Sequence, residues 1–182
     1  PSSNLYYRLY DSENNSWTTT KNFKTAADPL NNHFKFSAGG DSRTIVDDWK
    51  TVSDTIEVCD FALFLGDIGA NGSLASDWDN WYSHGEKFIS RNLTYHVRGS
   101  HDMGDIYPNN LVNPANGMYY SFEFGNSIFV ALDAPASETW EKQAVFLEEV
   151  LKANNDKTWK FVFFHSPFFT SGVHAGEMDA LR

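Results

Sequence analysis

The chain of 182 residues can hold one full domain, or one domain and part of another. Its hydrophobic content of 41% suffices for a packed core, and no apolar run approaches the ~18 residues needed to cross a bilayer. A net charge of −10 argues against nonspecific nucleic-acid binding, which requires a basic surface. The single cysteine, Cys59, excludes an internal disulfide and a cysteine zinc cluster.

The sequence pattern of residues 1–27 predicts two β-strands. Leu5, Tyr7 and Leu9 alternate with other residues, residues 17–25 are rich in β-forming side chains, and turn-forming residues separate the two segments. A lone two-stranded hairpin is marginally stable in water. We therefore expect this segment to be the C-terminal part of a β-sandwich domain.

Beyond this segment, apolar runs of strand length alternate with helical patterns. Helices are predicted after three possible N-caps, Thr44, Ser76 and Ser137, and two strands are predicted about a Gly125-Asn126 turn. Strand-helix alternation of this kind predicts an α/β fold with a parallel or mixed layered sheet. The helical pattern after Ser137 places on one face Trp140, Ala144, Leu147 and Leu151.

Residues of the metal-ligand type follow four of the apolar runs, which are residues 34–38, 61–65, 93–97 and 161–164. The carboxyl ends of strands in open α/β sheets form active sites. Two of the runs are followed by Gly-Asp pairs, Gly40-Asp41 and Gly66-Asp67, and the glycine lets the backbone turn sharply and approach an ion closely. Carboxylates together with imidazoles suit a divalent or trivalent metal ion. The residues that follow the four runs are Asp41, Asp67, the triplet Ser100-His101-Asp102, and His165.

In this order, these residues resemble the calcineurin-like metallophosphoesterase superfamily, whose pattern is GD, GD, GN-H-[DE], a histidine and then GHxH. Residues 165–178 resemble its purple acid phosphatase branch, and the resemblance covers about residues 33–182. The implied fold over residues 28–182 is the N-terminal part of a four-layer α/β/β/α catalytic domain. The strands of residues 1–27 would then end a fibronectin III-like β-sandwich.

The resemblance implies a hydrolase with a binuclear centre of Fe, Zn or Mn ions that cleaves phosphate mono- or diesters. Asp67 would bridge the two ions, Asp41 would ligate the first and His165 the second, with metal-bound hydroxide as the nucleophile. His101 would protonate the leaving group or hold the phosphate, and Asp102 would orient His101. Simpler explanations exist, since aspartates often form turns after strands and a histidine after an aromatic strand can belong to the core.

Three departures from the family pattern matter. The third block has Ser100 where the family has a ligating asparagine, so Ser100 binds weakly, acts through a water, or marks a site that has lost one metal ion. Ala70 stands where the purple enzymes carry the tyrosine behind their colour, so we expect no purple colour. The GHxH block is absent from these 182 residues, which reads as a truncation before that motif, and we expect this chain alone to be poorly active.

Three further residues are candidates for substrate binding. Arg43 is either surface charge or a guanidinium whose fork geometry fits a phosphate group. His174 resembles a substrate-facing histidine of plant-type phosphatases, or is an ordinary loop histidine. Asn71 either lines the pocket or belongs to a glycosylation sequon, one of several that favour a secreted or extracytoplasmic location.

The sequence thus predicts a metal-dependent phosphoesterase that acts on a small phosphorylated substrate. Nucleic acid is expected only as a phosphodiester substrate, because a nuclease or cyclic-nucleotide phosphodiesterase would use the same site. The alternative is a non-catalytic binding or surface protein on a degenerate phosphoesterase scaffold. Ser100 and the missing GHxH block favour that alternative, and the intact aspartates and histidines disfavour it.

Overall fold

The computed structural model describes residues 3–25, 33–43, 46–136 and 139–171. In chain order, the strands are β1 (Asn4–Tyr7), β2 (Tyr10–Asp11), β3 (Ser16–Trp17), β4 (Lys21–Lys24), β5 (Phe36–Gly39), β6 (Phe61–Phe64), β7 (Thr94–His96), β8 (Tyr120–Phe124), β9 (Ser127–Ala131) and β10 (Trp159–Phe163). The helices are α1 (Val46–Thr55), α2 (Ala75–Ile89), α3 (Ile106–Asn110) and α4 (Trp140–Ala153). None of these helices combines the length and the apolar character that crossing a bilayer requires. The predicted N-caps Thr44 and Ser137 lie outside the described residues.

The N-terminal segment forms an antiparallel hairpin. Strand β1 pairs with β4, and β2 pairs with β3. Between the two ladders, the Thr18 N–H donates to the Leu9 carbonyl at 2.9 Å, so the hairpin is continuous. The hairpin contacts the end of α2, where the Tyr7 hydroxyl donates to the Ser90 carbonyl at 3.2 Å. The two predicted strands are therefore present, each interrupted near its middle.

The first larger sheet is parallel, with strand order β5-β6-β7. All four residues of the central strand β6 are buried, which is typical of a parallel strand that is covered on both faces. Helices α1 and α2 cover one of these faces. Their aromatic contacts join Trp49 of α1, Trp81 of α2 and Phe64 of β6.

Helix α2 begins before the residue that the sequence predicts as its cap. Leu74 occupies the N-cap position with extended φ and ψ angles, and the backbone is already helical at Ala75. Ser76 therefore lies inside the first turn, and its predicted role as N-cap is wrong. The apolar pattern that follows is confirmed, because Trp78, Trp81 and Phe88 are buried.

The second larger sheet has strand order β10-β9-β8. Strands β8 and β9 form the predicted antiparallel hairpin, and Gly125 in its turn has a φ angle of +55°, which favours glycine. Strands β9 and β10 are parallel, with α4 as the connection between them. Helix α4 packs on this sheet through Phe146, Leu147 and Val150.

The two sheets contact each other through an aromatic core. Phe61 of β6 lies edge-to-face with Phe129 of β9, with ring centroids 5.1 Å apart, and both rings are fully buried. Full burial of each such ring contributes about 1.5–3 kcal/mol. The predicted α/β class is confirmed. Strands β5, β6 and β7 belong to one sheet, and β10 belongs to the other. Residues that follow the carboxyl ends of these strands therefore lie where the two sheets contact each other.

Candidate metal centre

Three predicted ligands come together where β5, β6 and β10 end. One donor atom from each of Asp41, Asp67 and His165 lies within 4.8 Å of the other two. Asp41 is exposed, Asp67 is buried and His165 is partly buried, so the group extends from the interior to the surface. Two carboxylates and one imidazole form a donor set that fits Zn, Fe or Mn ions.

Both aspartates lie in left-handed backbone turns. The φ angle is +59° at Asp41 and +56° at Asp67, a region that side-chain-bearing residues rarely occupy. The Asp41 N–H donates to the Gly66 carbonyl at 2.9 Å, which joins the two turns. A Cβ atom on Gly99 would lie 2.2 Å from Asp67 Oδ1, so only glycine allows the third motif to approach this carboxylate so closely. Backbone strain of this kind is concentrated at functional sites.

The His165 ring is oriented by the other sheet. Its Nδ1 lies 2.8 Å from the Leu65 carbonyl oxygen, which can only accept, so Nδ1 carries the proton. The other ring nitrogen, Nε2, lies 3.5 Å from Asp67 Oδ1. In the neutral ring this places a lone pair opposite a carboxylate oxygen. A cation held by both atoms would satisfy the two lone pairs, and histidines that bind metal ions often have their other ring nitrogen bonded to a backbone carbonyl in this way.

The Asp67 carboxylate is 1% exposed, and its two oxygens have different partners. Oδ1 accepts a hydrogen bond from the His101 backbone N–H at 2.9 Å. Oδ2 lies 3.4 Å from Nε of Arg43, whose side chain is about one third exposed. The structure therefore brings Arg43 into contact with the buried carboxylate that follows β6.

His101 is exposed beside this group. Its Nδ1 lies 2.8 Å from the Ala70 carbonyl oxygen and therefore donates to it. This bond fixes one ring nitrogen and leaves Nε2 to interact with a molecule outside the protein. The arrangement suits a residue that exchanges a proton with a bound ligand or donates a hydrogen bond to it.

Asp102 acts on the backbone and not on the His101 ring. Its fully buried carboxylate accepts three backbone hydrogen bonds, from Asp67 N–H at 2.7 Å, Gly99 N–H at 2.9 Å and Ile68 N–H at 2.8 Å. Burial raises the pKa of this carboxyl, and the three N–H groups oppose that effect. Asp102 thereby joins the turns after β6 and β7. The predicted direct orientation of His101 is replaced by a bond from that ring to Ala70.

A buried ion pair that the sequence analysis missed supports the third motif. Arg98 lies directly before Gly99 and binds Asp133 in bidentate fashion, with Nε to Oδ1 at 3.0 Å and Nη2 to Oδ2 at 2.7 Å. Asp133 follows β9, and its backbone N–H and carbonyl both bond to the side chain of buried Gln143. The sequence offered one signal for this ion pair, because Arg98 and Asp133 carry opposite charges and each lies shortly after a strand.

The three remaining candidates are Ser100, Asn71 and His174. Ser100 is exposed, between buried Gly99 and exposed His101. Asn71 is exposed and closes its own turn, because its Oδ1 accepts the Ser73 N–H at 3.0 Å. His174 lies outside the described residues. The described contacts therefore assign neither Ser100 nor Asn71 to the metal centre.

No family model matches the chain, and no curated protein sequence matches it. Among solved structures, it is similar to the purple acid phosphatase PPD1 from yellow lupin (Lupinus luteus) seeds, with a TM-score of 0.67 and 18% identity over 93% of this chain. It is also similar to the structure of PhoD, with a TM-score of 0.50 and 14% identity over 71% of this chain. The match spans 37% of the length of each of these proteins. At such identities the likeness shows the fold, and at that level it confirms the resemblance predicted from the motifs.

Proposed function

We propose that the chain carries the centre of a metal-dependent phosphoesterase that hydrolyses phosphate mono- or diesters. The observation that supports this most strongly is the pair of His165 Nε2 and Asp67 Oδ1, which face each other at 3.5 Å while His165 Nδ1 is held by Leu65. A metal ion held by these two side chains would satisfy both lone pairs. The similarity in fold to a protein named as a purple acid phosphatase favours phosphate esters as the substrate class.

In this proposal Asp41, Asp67 and His165 hold metal, and Ser100 is a further, weaker ligand. Bound metal would polarise the phosphate and activate a water. The resemblance implies two ions bridged by Asp67, of Fe, Zn or Mn. The donor set of carboxylates and imidazole fits each of these metals.

The other proposed roles belong to side chains around these ligands. His101 donates a proton or a hydrogen bond through Nε2, because its Nδ1 is held by Ala70. Asp102 positions His101 through the backbone, since it fixes the Gly99 and Asp67 amides and the His101 N–H donates to Asp67. Arg43 binds a phosphate oxygen. Asn71 and His174 are proposed as outer substrate contacts on the resemblance alone.

The same resemblance supports a proposed organisation for the whole protein. Residues 1–27 would end a fibronectin III-like β-sandwich, and residues 28–182 would form the N-terminal part of a four-layer α/β/β/α catalytic domain. The packing of helices on the outer faces of two sheets in contact supports that layering. We propose a secreted or extracytoplasmic location for the protein.

The test is metal content by elemental analysis together with p-nitrophenyl phosphate turnover, measured on the longest natural form of the protein. We expect bound metal and turnover in the wild type, and loss of both in Asp67→Asn. Asp156→Asn, at an exposed aspartate before β10 that is not among the candidate ligands, is the matched control and should retain both. A wild-type protein without metal and without turnover would instead support the non-catalytic binding scaffold, which the serine at position 100 favours.

A further inference from the structure

The two oxygens of Asp67 face different cationic positions, and this difference bears on how many metal ions the site holds. We propose that the centre binds one divalent ion. The guanidinium of Arg43 supplies the second positive charge beside Asp67, in place of the second ion that a bridging carboxylate would bind. The inference rests on the proposed function, because it concerns the same site.

The geometry of Asp67 carries the first step. Oδ1 lies 3.5 Å from His165 Nε2, the side of the carboxylate where a metal ion satisfies two facing lone pairs. Oδ2 lies 3.4 Å from Arg43 Nε. A carboxylate that bridges two ions about 3.5–4 Å apart offers one oxygen to each. Here the second oxygen already faces a guanidinium group.

Electrostatics supply the second step. Arginine stays protonated at any pH at which the protein folds, so Arg43 cannot give up its charge to admit a metal ion. Asp67 is buried, and like charges repel more strongly there than in open water. Asp41 and Asp67 together carry two negative charges, which one divalent ion neutralises. Arg43 then adds the net positive charge that attracts a phosphate group.

The shape of the guanidinium supplies the third step. The ion pair with Asp67 joins Nε of Arg43 to Oδ2, so the planar group faces Asp67 with its Nε edge. The Nη atoms remain at the other edge, and a pair of N–H donors in that geometry matches two oxygens of a phosphate. Arg43 is about one third exposed, so a phosphate can reach it from solvent. We therefore expect one ion and one guanidinium to bind the phosphate ester together.

The experiment counts metal ions in the longest natural form of the protein, after dialysis against Mn²⁺ or Zn²⁺. We expect one ion per chain in the wild type and two in Arg43→His, which removes the permanent charge and supplies an imidazole ligand. Arg91→His, at an exposed arginine, is the matched control and should keep one ion. Inorganic phosphate should bind about 10-fold or more weakly to Arg43→Gln than to the wild type, because a charge-assisted hydrogen bond is lost.

The outcomes separate this inference from the function on which it rests. Two ions in the wild type would overturn the inference and leave the phosphoesterase proposal standing. One ion in the wild type and also in both Arg43 variants would overturn the role of Arg43, because the limit would then lie elsewhere. A wild-type protein that binds no metal would contradict the proposed function itself. The number of metal ions bound by the wild type tests the one-ion inference even where a variant fails to fold.

Discussion

Asp67 and Asp102 are both buried, and each lies in a turn that follows a strand of the same parallel sheet. Asp102 accepts three backbone N–H groups, whereas Asp67 accepts one and otherwise faces Arg43 and His165. The Asp102 carboxylate has most of its acceptor sites occupied by backbone N–H groups. The Asp67 carboxylate keeps more of its capacity for a cation. The partners of a buried carboxylate, and not its burial, therefore separate a structural aspartate from a candidate metal ligand.

The largest effect on stability is expected for Asp102→Ala. Three buried N–H groups would lose their partner, at about 1–3 kcal/mol each, so we expect a loss of about 4 kcal/mol in the free energy of unfolding. Urea unfolding measures this loss. Asp105→Ala, at an exposed aspartate that makes no side-chain cap bond to α3, is the control and should change little. A loss below about 1 kcal/mol for Asp102→Ala would show that the comparison is wrong.

The next largest effect on stability is expected for the ion pair between Arg98 and Asp133, which supports the third motif. Arg98→Lys keeps the charge beside Asp133 but can form only one of the two hydrogen bonds. Hydrogen bonds to charged groups contribute about 1.5–3 kcal/mol, so we expect a loss of about 2 kcal/mol in chemical unfolding. Arg91→Lys, at an exposed arginine, should unfold like the wild type. Equal stability of the two variants would argue that the bidentate geometry contributes nothing.

His96 extends the comparison to a buried polar group without a partner. Neither ring nitrogen has a hydrogen-bond partner among the described residues, and burial lowers the pKa of the ring from 6.5 to about 3. The neutral ring is favoured in the folded state, so stability is full above pH 6.5 and is lost as the pH falls from 6.5 towards 3. The loss approaches about 1.4 kcal/mol per pH unit.

In His96→Phe this dependence on the pH should disappear. Between about pH 7.5 and pH 5.5, we expect the wild type to lose about 1.4 kcal/mol more than the variant in thermal or urea unfolding. The difference between the two proteins at the higher pH measures the change in packing alone. Parallel pH profiles for the two proteins would mean that His96 is not held neutral by burial.

The smallest effect on stability is expected on the open side of the site. Asp41→Asn keeps the shape of an exposed side chain, and asparagine tolerates the φ angle of +59° at this position. We expect the free energy of unfolding to change by less than about 0.5 kcal/mol. Metal affinity, measured by calorimetry with Mn²⁺ or Zn²⁺, should fall. A large loss of stability would mean that Asp41 supports the fold as Asp102 does.

The convergence of the three candidate ligands could be predicted from the sequence because of where they lie in the chain. Asp41, Asp67 and His165 each follow a strand-like apolar run, and strand ends meet at a sheet edge, so their convergence follows from the pattern. The α/β class follows from the same alternation. A motif does not tell whether a carboxylate contacts an imidazole ring or backbone N–H groups. For this reason the sequence did not predict the contacts of Asp102.

Polar core positions are also invisible to an apolar pattern. In α4 the pattern predicts that Ala144 faces the core, whereas Ala144 is exposed and the neighbouring Gln143 is buried. Gln143 is buried because the backbone of Asp133 needs hydrogen-bond partners after β9 ends. Only the three-dimensional fold brings these two residues together, so no local feature of the sequence could have indicated the pair.

The hydrogen bond from His165 to the Leu65 carbonyl joins residues that are 100 positions apart and follow strands of different sheets. We expect a contact of such range to form late in folding, because the chain must first close a long loop. The ligand set is complete only after the two sheets have docked. Metal held there would slow unfolding more than it speeds folding, since it binds a contact absent from the early transition state. The lifetime of the folded protein would thus depend on the free metal concentration around it.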